Sequence, residues 1–131
     1  MTNLKAIIVD EERLARVNLR RLLEPFPEIE IAGEAGSCAC ALDLISHHNP
    51  QLLFLDIQLH GETCYDLLEF IDSSIKIILV TAYDEDALGA FELNTIDYLS
   101  KPVNPELLRE AIEKAKKINE PEKKKKSCVI S

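Results

Sequence analysis

Five short runs of apolar residues alternate along this sequence with stretches that have helical, amphipathic spacing. Runs of about four to eight apolar residues between turn-forming residues are typical of strands buried on both faces. Strands that alternate with helices favour a parallel sheet covered by helices on both sides. The predicted strands cover approximately residues 6–9, 29–35, 52–55, 75–80 and 97–100.

The stretches between these runs carry apolar residues three and four positions apart, which is the period of an α-helix. In the first stretch, Leu14, Val17 and the Leu22–Leu23 pair predict a buried face that ends before Pro25. Three further helices are predicted over residues 38–48, 65–71 and 85–93, with Ser37 as the N-cap of the first and Asp84 as the N-cap of the third. The last helix is predicted to begin at Pro105. Its apolar face is predicted to consist of Leu108, Ala111, Ile112, Ala115 and Ile118.

The alternation predicts an α/β fold, a doubly wound parallel sheet of the flavodoxin-like (βα)5 type with strand order 2-1-3-4-5. Right-handed crossovers leave few other arrangements for five strand–helix pairs. Ligands of such sheets bind beyond the carboxyl ends of the strands, where the strand order reverses between strands one and three. The residues that follow each strand are therefore the first candidates for a functional site.

The charge of the chain limits the partners it can bind directly. The formal net charge is −8, and residues 1–120 alone hold 11 basic and 22 acidic residues. A segment with this excess of negative charge repels the phosphate backbone of DNA, which disfavours direct DNA binding. Aromatic residues make up only 5% and Trp is absent, so a stacking platform for nucleic-acid bases is not expected either.

The cysteines and the apolar runs indicate a cytoplasmic protein. The spacing of Cys38, Cys40, Cys64 and Cys128 matches no zinc motif, and we expect all four to be reduced packing residues. No apolar run approaches the length of a membrane span, and the N-terminus does not resemble a signal peptide.

Polar residues that can handle a phosphoryl group follow four of the predicted strands. Asp10 and Glu11 follow strand one, and Asp56 follows its neighbour, strand three. Carboxylates that converge in this way repel one another unless a cation lies between them, and oxygen ligands suit Mg²⁺ or Mn²⁺. A carboxylate can act as the nucleophile toward phosphorus, while Lys101 supplies positive charge and Thr81 a hydroxyl donor for the transferred group.

Four segments resemble the receiver domains of two-component response regulators over about residues 4–119. They are Ile7-Ile8-Val9-Asp10-Glu11-Glu12, Phe54-Leu55-Asp56-Ile57-Gln58, Val80-Thr81-Ala82-Tyr83-Asp84 and Asp97-Tyr98-Leu99-Ser100-Lys101-Pro102-Val103. The amino-acid sequences of the later segments are similar to those of the LytTR (LytR/AlgR-type) subgroup in particular.

The resemblance implies a role for each site residue. Asp56 is the expected phosphoacceptor, and Asp10, Glu11 and Asp56 with the Gln58 backbone carbonyl are the expected metal ligands. Thr81 and Lys101 are the expected switch hydroxyl and phosphate-contacting lysine, Tyr98 the aromatic switch residue, and the Lys101–Pro102 bond is expected to be cis.

The sequence departs from the family pattern after the acceptor. The family usually has Pro and Gly in this loop, where this chain has His60 and Cys64, so the shape of residues 59–65 and the phosphoryl lifetime are open. Each site residue also has an ordinary structural role. Asp56 alone could be a turn carboxylate, and Tyr98 alone a half-buried packing ring.

The resemblance implies a sensor histidine kinase as partner and a homodimer through the face of helix four, strand five and helix five. Residues 1–119 are predicted to be the receiver domain. Residues 120–131 are predicted to be a basic linker toward an output domain, which alone would bind DNA. The last four residues, 128–131, also match a prenylation pattern, but bacterial proteins are not expected to carry it, so no membrane contact is predicted.

Two other classes of function stay open. A phosphatase or phosphotransferase that acts on small molecules would also use an aspartyl nucleophile, but it usually has a second Asp two positions later, where this chain has Gln58. An interaction module that is never phosphorylated would be consistent only with the altered loop after Asp56.

Overall fold

The structure, a computed structural model, describes residues 3–56, 58–59, 62–63, 71, 74–82 and 95–118. Within these residues, the five predicted strands and three of the predicted helices occur in the predicted order. The strands are β1 (Leu4–Val9), β2 (Ile29–Ala35), β3 (Leu52–Leu55), β4 (Gln58–Leu59), β5 (Glu62–Thr63), β6 (Lys76–Thr81) and β7 (Thr95–Ser100). The helices are α1 (Arg13–Leu23), α2 (Cys38–His48) and α3 (Pro105–Ile118).

Five of the strands form one parallel sheet in the order β2-β1-β3-β6-β7. Numbered without the short β4 and β5, this is the predicted order 2-1-3-4-5, so the flavodoxin-like (βα)5 fold is confirmed. The pairing shifts register between Ala6 and Ile7 and between Ile77 and Ile78. Strands β4 and β5 pair antiparallel in a separate two-stranded sheet, which overlaps the segment whose shape the sequence left open.

The central strands are mainly apolar because both faces of the sheet are covered. Alternate residues of β3 point to opposite sides, as the two-residue period of a strand requires. Leu53 and Leu55 join the core on the α2 face, whereas Leu52 and Phe54 join the core on the face of α1 and α3. This two-sided burial explains why β3 reads as an uninterrupted apolar run.

Side-chain caps define the starts of two helices. The Ser37 hydroxyl accepts a hydrogen bond from the Cys40 backbone N–H at 3.2 Å, as predicted, and α2 ends at Asn49 in the left-handed conformation with φ of 48°. Asn104 caps α3 by accepting from the backbone N–H of Glu106 at 2.8 Å and of Leu107 at 3.3 Å. The predicted apolar face of α3 is confirmed for four fully buried residues, Leu108, Ala111, Ile112 and Ala115. The side chain of the fifth predicted member, Ile118, lies outside the described part of the chain.

The predicted buried face of α1 is wrong in its first half. Leu14 is 76% exposed and Val17 36% exposed, while the buried residues of this helix are Leu19 and Leu23. Residues four apart lie on one side of a helix, so once Leu19 and Leu23 face the sheet, positions 14 and 17 turn toward solvent. Apolar spacing alone could not choose between these two faces.

The expectation that every cysteine is reduced is also wrong. Cys38, at the first position of α2, forms a disulfide, whereas Cys40 is a free and exposed thiol. The partner of Cys38 lies outside the described residues. Spacing patterns alone do not reveal which side chains the fold brings within bonding distance.

Several predictions lie wholly or largely outside the described residues: the helix over 85–93, the helix over 65–71 apart from buried Ile71, His60, and the linker over 120–131. None of the helices that the structure describes is long and apolar enough to cross a membrane.

Candidate functional site

The predicted site residues meet at the carboxyl edge of the sheet. Asp10 directly follows β1, Asp56 directly follows β3, and Thr81 is the last residue of β6. Lys101 follows β7, the last strand of the same sheet. Because β1, β3, β6 and β7 are consecutive neighbours, the parallel topology delivers all four side chains to one edge.

The ammonium group of Lys101 links the two aspartates. Its Nζ atom lies 2.7 Å from Oδ2 of Asp10 and 2.9 Å from Oδ2 of Asp56. Asp10 is only 5% exposed and Asp56 only 7%, so both carboxylates sit away from bulk water. Buried carboxylates are stable in the ionised form only beside positive charge, which the shared ammonium provides.

The same contacts govern the protonation of Lys101. Burial alone would lower the pKa of its ammonium, because a charged group loses solvation. The hydrogen bonds to Asp10 and Asp56 and the attraction of both carboxylates outweigh that loss, and the pKa of Lys101 is raised above its ordinary value of 10.5. Lys101 is therefore a permanent cation at neutral pH.

Every polar group of Asp10 is engaged by a neighbour. Its backbone N–H donates to the Ala35 carbonyl at 2.9 Å, and its Oδ1 accepts from the Glu12 backbone N–H at 3.0 Å. Oδ2 faces Lys101, as described above, and the backbone carbonyl accepts a hydrogen bond from Arg16 at 2.6 Å. The backbone N–H of Asp56 in turn donates to the Val9 carbonyl at 2.9 Å, which ties the two aspartate turns together.

Thr81 and Tyr98, the two predicted switch residues, lie on the neighbouring strands β6 and β7. Thr81 is fully buried, and its carbonyl accepts a hydrogen bond from the Lys101 backbone N–H at 3.1 Å. Tyr98 is partly buried and packs against the core on the α2 face. The Lys101–Pro102 bond is cis, as the family resemblance led us to expect.

The structure brings only some of the predicted metal ligands together. Glu11 follows Asp10 in the turn after β1 and is partly buried, and the Gln58 backbone begins β4. Among the described residues, no three His, Cys, Asp or Glu side chains are grouped closely enough to form a metal site. What the structure does show is two buried carboxylates converging on one cation, and a donor set of carboxylate and carbonyl oxygens fits Mg²⁺ or Mn²⁺.

Two residues that were not among the predicted site residues, Arg16 and Glu34, flank the Asp10 turn. The Nε atom of Arg16 donates to Oε1 of Glu34 at 3.2 Å, and Arg20 donates to the other oxygen, Oε2. The hydrogen bond from Arg20 and the contacts from Arg16 hold the pKa of Glu34 below its ordinary 4.5 despite partial burial. The sequence did contain a signal for Glu34, which is an acidic residue near the end of strand two. In the strand order 2-1-3, the end of strand two lies beside the end of strand one, which Asp10 follows.

The chain resembles known signalling proteins in sequence. Residues 6–113 match the family described as the response regulator receiver domain. The sensory transduction protein LytT of Bacillus anthracis is 39% identical over 117 residues, which cover 87% of this chain and 48% of that protein. LytT of Bacillus subtilis is 39% identical over 119 residues, which cover 88% of this chain and 49% of that protein.

Solved structures resemble it in fold. The REC domain of AraT, a response regulator from Geobacillus stearothermophilus, superposes with a TM-score of 0.79 at 31% identity and covers 92% of this chain and 98% of that one. The PhyR receiver domain of Erythrobacter litoralis gives 0.78 at 27% identity, covering 92% of this chain and 96% of that one. The chain spans about half the length of the curated relatives it matches.

Proposed function

The chain belongs to the response regulator receiver domain family, and from that premise we propose that it is a phosphorylation switch in which Asp56 accepts a phosphoryl group from a sensor histidine kinase. The observation that carries this proposal is the Asp10–Lys101–Asp56 arrangement at the carboxyl edge of the sheet. It combines a buried carboxylate nucleophile with a fixed positive charge, and phosphoryl transfer depends on such positioned charge.

The transfer itself needs little covalent chemistry from the protein. A carboxylate oxygen of Asp56 attacks phosphorus, the N–P bond of the phosphohistidine breaks, and an acyl phosphate forms. The attacking oxygen of Asp56 already lies beside the Lys101 ammonium. Lys101, held within 2.9 Å of the acceptor, stabilises the negative charge on the transferred group.

Receiver domains generally bind Mg²⁺. Here Asp10, Glu11, Asp56 and the Gln58 backbone carbonyl would hold Mg²⁺ or Mn²⁺, and the ion would neutralise charge on the phosphoryl oxygens. The support for this assignment is the burial of Asp10 and Asp56 together with their convergence on one positive group.

The proposed response to phosphorylation starts at Thr81 and Tyr98. The Thr81 hydroxyl would donate to the phosphoryl group, and Tyr98 would change rotamer at the edge strand β7. The surface formed by residues 85–93, β7 and α3 would then favour a homodimer by shifting an existing equilibrium between conformers. Among the described strands, β7 has a neighbour only on its β6 side, which supports a partner at this edge of the sheet.

The names of the relatives support a proposed cellular role. The LytT proteins are described as sensory transduction proteins, and another relative, 38% identical, is the transcriptional regulatory protein BtsR of Salmonella typhi. We propose a cytoplasmic regulator whose transcriptional output resides in a separate DNA-binding domain, since the acidic body itself repels DNA.

The test is phosphorylation with acetyl phosphate and Mg²⁺, read by intact mass. Wild type should gain the mass of one phosphoryl group, Asp56→Asn should gain none, and a chelator should abolish the gain. The matched control is Asp43→Asn, an exposed aspartate on α2 remote from the site. A wild-type mass that stays constant with several phosphodonors would contradict the proposal and favour an interaction module.

A further inference from the structure

The guanidinium of Arg16 connects two elements that meet beside the site. From the second turn of α1, it donates from Nη1 to the Asp10 backbone carbonyl at 2.6 Å and from Nε to Oε1 of Glu34 at 3.2 Å. Its side chain is only 18% exposed and that of Glu34 26% exposed. Two directed bonds from one planar, largely buried group fix its orientation, which a lysine could not reproduce.

The surroundings leave space for this contact. A Cβ atom at Gly36 would lie 3.3 Å from Nη1 of Arg16 and 3.9 Å from the Asp10 carbonyl oxygen. Glycine at position 36 therefore leaves the guanidinium room to approach the backbone. The Asp10 carbonyl belongs to the peptide that joins Asp10 to Glu11, so the bond from Arg16 sets the plane of that peptide.

We propose that Arg16 is a positioning residue for the cation: anchored by Glu34, it holds the Asp10–Glu11 peptide so that both carboxylates are oriented before the cation binds. This inference rests on the proposed function, because Asp10 and Glu11 are cation ligands only in that scheme. Partners that orient metal ligands typically change metal affinity by about 10–100-fold when they are removed. Arg16 acts here through the backbone of a ligand and does not touch the cation.

The chain offers a matched control in Arg20. Arg20 donates to Oε2 of the same Glu34 from the same helix, and none of its described contacts reaches Asp10. Arg16→Ala and Arg20→Ala each remove one positive charge and one bond to Glu34. Only Arg16→Ala also removes the bond to the Asp10 carbonyl.

The experiment is calorimetric titration of the unphosphorylated protein with Mg²⁺, with a thermal unfolding scan of each metal-free variant. We expect Arg16→Ala to raise the Kd for Mg²⁺ by about tenfold or more and Arg20→Ala to stay within about twofold of wild type. A purely structural role would lower the unfolding temperature of both variants without separating their Kd values.

The other outcomes are also decisive. If Arg16→Ala and Arg20→Ala bind Mg²⁺ equally well, the positioning role is refuted while the proposed cation site stands. If wild type binds no Mg²⁺, the cation site of the proposed function fails and the role of Arg16 fails with it. If Arg16→Ala does not fold, Arg16→Lys replaces it, and wild-type affinity in that variant would refute the role, because a single ammonium nitrogen cannot occupy both the Nε and the Nη1 donor positions of the guanidinium.

Discussion

Nζ of Lys101 lies slightly closer to Asp10 than to Asp56, at 2.7 Å against 2.9 Å, so the lysine neutralises the first aspartate as much as the acceptor. A divalent cation held by the same two carboxylates would share them with this ammonium. Like charges near one site repel, which makes Lys101 a competitor of the cation as well as a stabiliser of the phosphoryl group.

Lys101→Met should therefore separate cation binding from phosphoryl acceptance. We expect Mg²⁺ to bind about tenfold more tightly, or about 1.4 kcal/mol, because a competing positive charge is gone. Phosphorylation by acetyl phosphate should nevertheless fall strongly, because the charge that stabilises the transferred group is gone as well. Calorimetry and intact mass measure the two effects. Weaker Mg²⁺ binding in this variant would contradict the competition.

Thr81→Ala should separate phosphorylation of Asp56 from the dimerisation that is proposed to follow it. The variant should still gain a phosphoryl group on Asp56, because Thr81 is not the nucleophile. It should remain in the oligomeric state of the unphosphorylated wild type, measured by light scattering after size-exclusion chromatography. Thr95→Ala, at the opposite end of the neighbouring strand β7, is the control and should respond like wild type. Phosphorylation-dependent dimers of Thr81→Ala would exclude the proposed switch role.

Glu34 should contribute a pH-dependent part of the stability. Because the hydrogen bond from Arg20 and the contacts from Arg16 lower its folded-state pKa below 4.5, the carboxylate stabilises the fold above pH 4.5. That contribution is lost as the pH falls through the folded-state pKa. Denaturant unfolding should show Glu34→Gln less stable than wild type at pH 7, with the difference shrinking below pH 4.5.

Glu30→Gln, an exposed position on the same strand, is the control for Glu34. It should change stability much less at neutral pH. A difference between wild type and Glu34→Gln that stays constant from pH 7 down to pH 3 would show that the lowered pKa has no energetic consequence.

Two adjacent positions of α3 test the core. Leu108 is fully buried, and Leu107 is 48% exposed. Leu108→Ala should lower the free energy of unfolding by about 2–5 kcal/mol, because it leaves a cavity between the helix and the sheet. Leu107→Ala should stay within about 0.5 kcal/mol of wild type. Urea unfolding measures both, and similar losses in the two variants would mean that the helix packs differently.

The sequence predicted best where one physical signal dominates. Leu52–Leu55 is apolar at every position because both faces of β3 are covered, and its predicted bounds match the structure. The bounds of α2 also match, since Ser37 begins the helix and Asn49 ends it. Asp10, Asp56, Thr81 and Lys101 could be placed at one edge because parallel strands all end on the same side.

The features that the sequence did not predict depend on tertiary contacts. The face that α1 buries depends on how the helix is rotated against β1 and β2, which the spacing of Leu14 and Val17 does not encode. The contact of Arg16 with the Asp10 carbonyl is made to a backbone atom and leaves no trace in residue types. The disulfide of Cys38 likewise depends on a distance in space.

The pairing of Asp10 with Lys101 has a consequence for how the protein is made. The two residues lie near opposite ends of the described chain. Strand β7, which precedes Lys101, is an edge strand and the last strand of the sheet in the sequence. A ribosome therefore completes both aspartates long before it supplies the lysine that neutralises them. During synthesis the two aspartates therefore lack this ammonium, and their ion pairs with Lys101 form only after the chain has been made through β7.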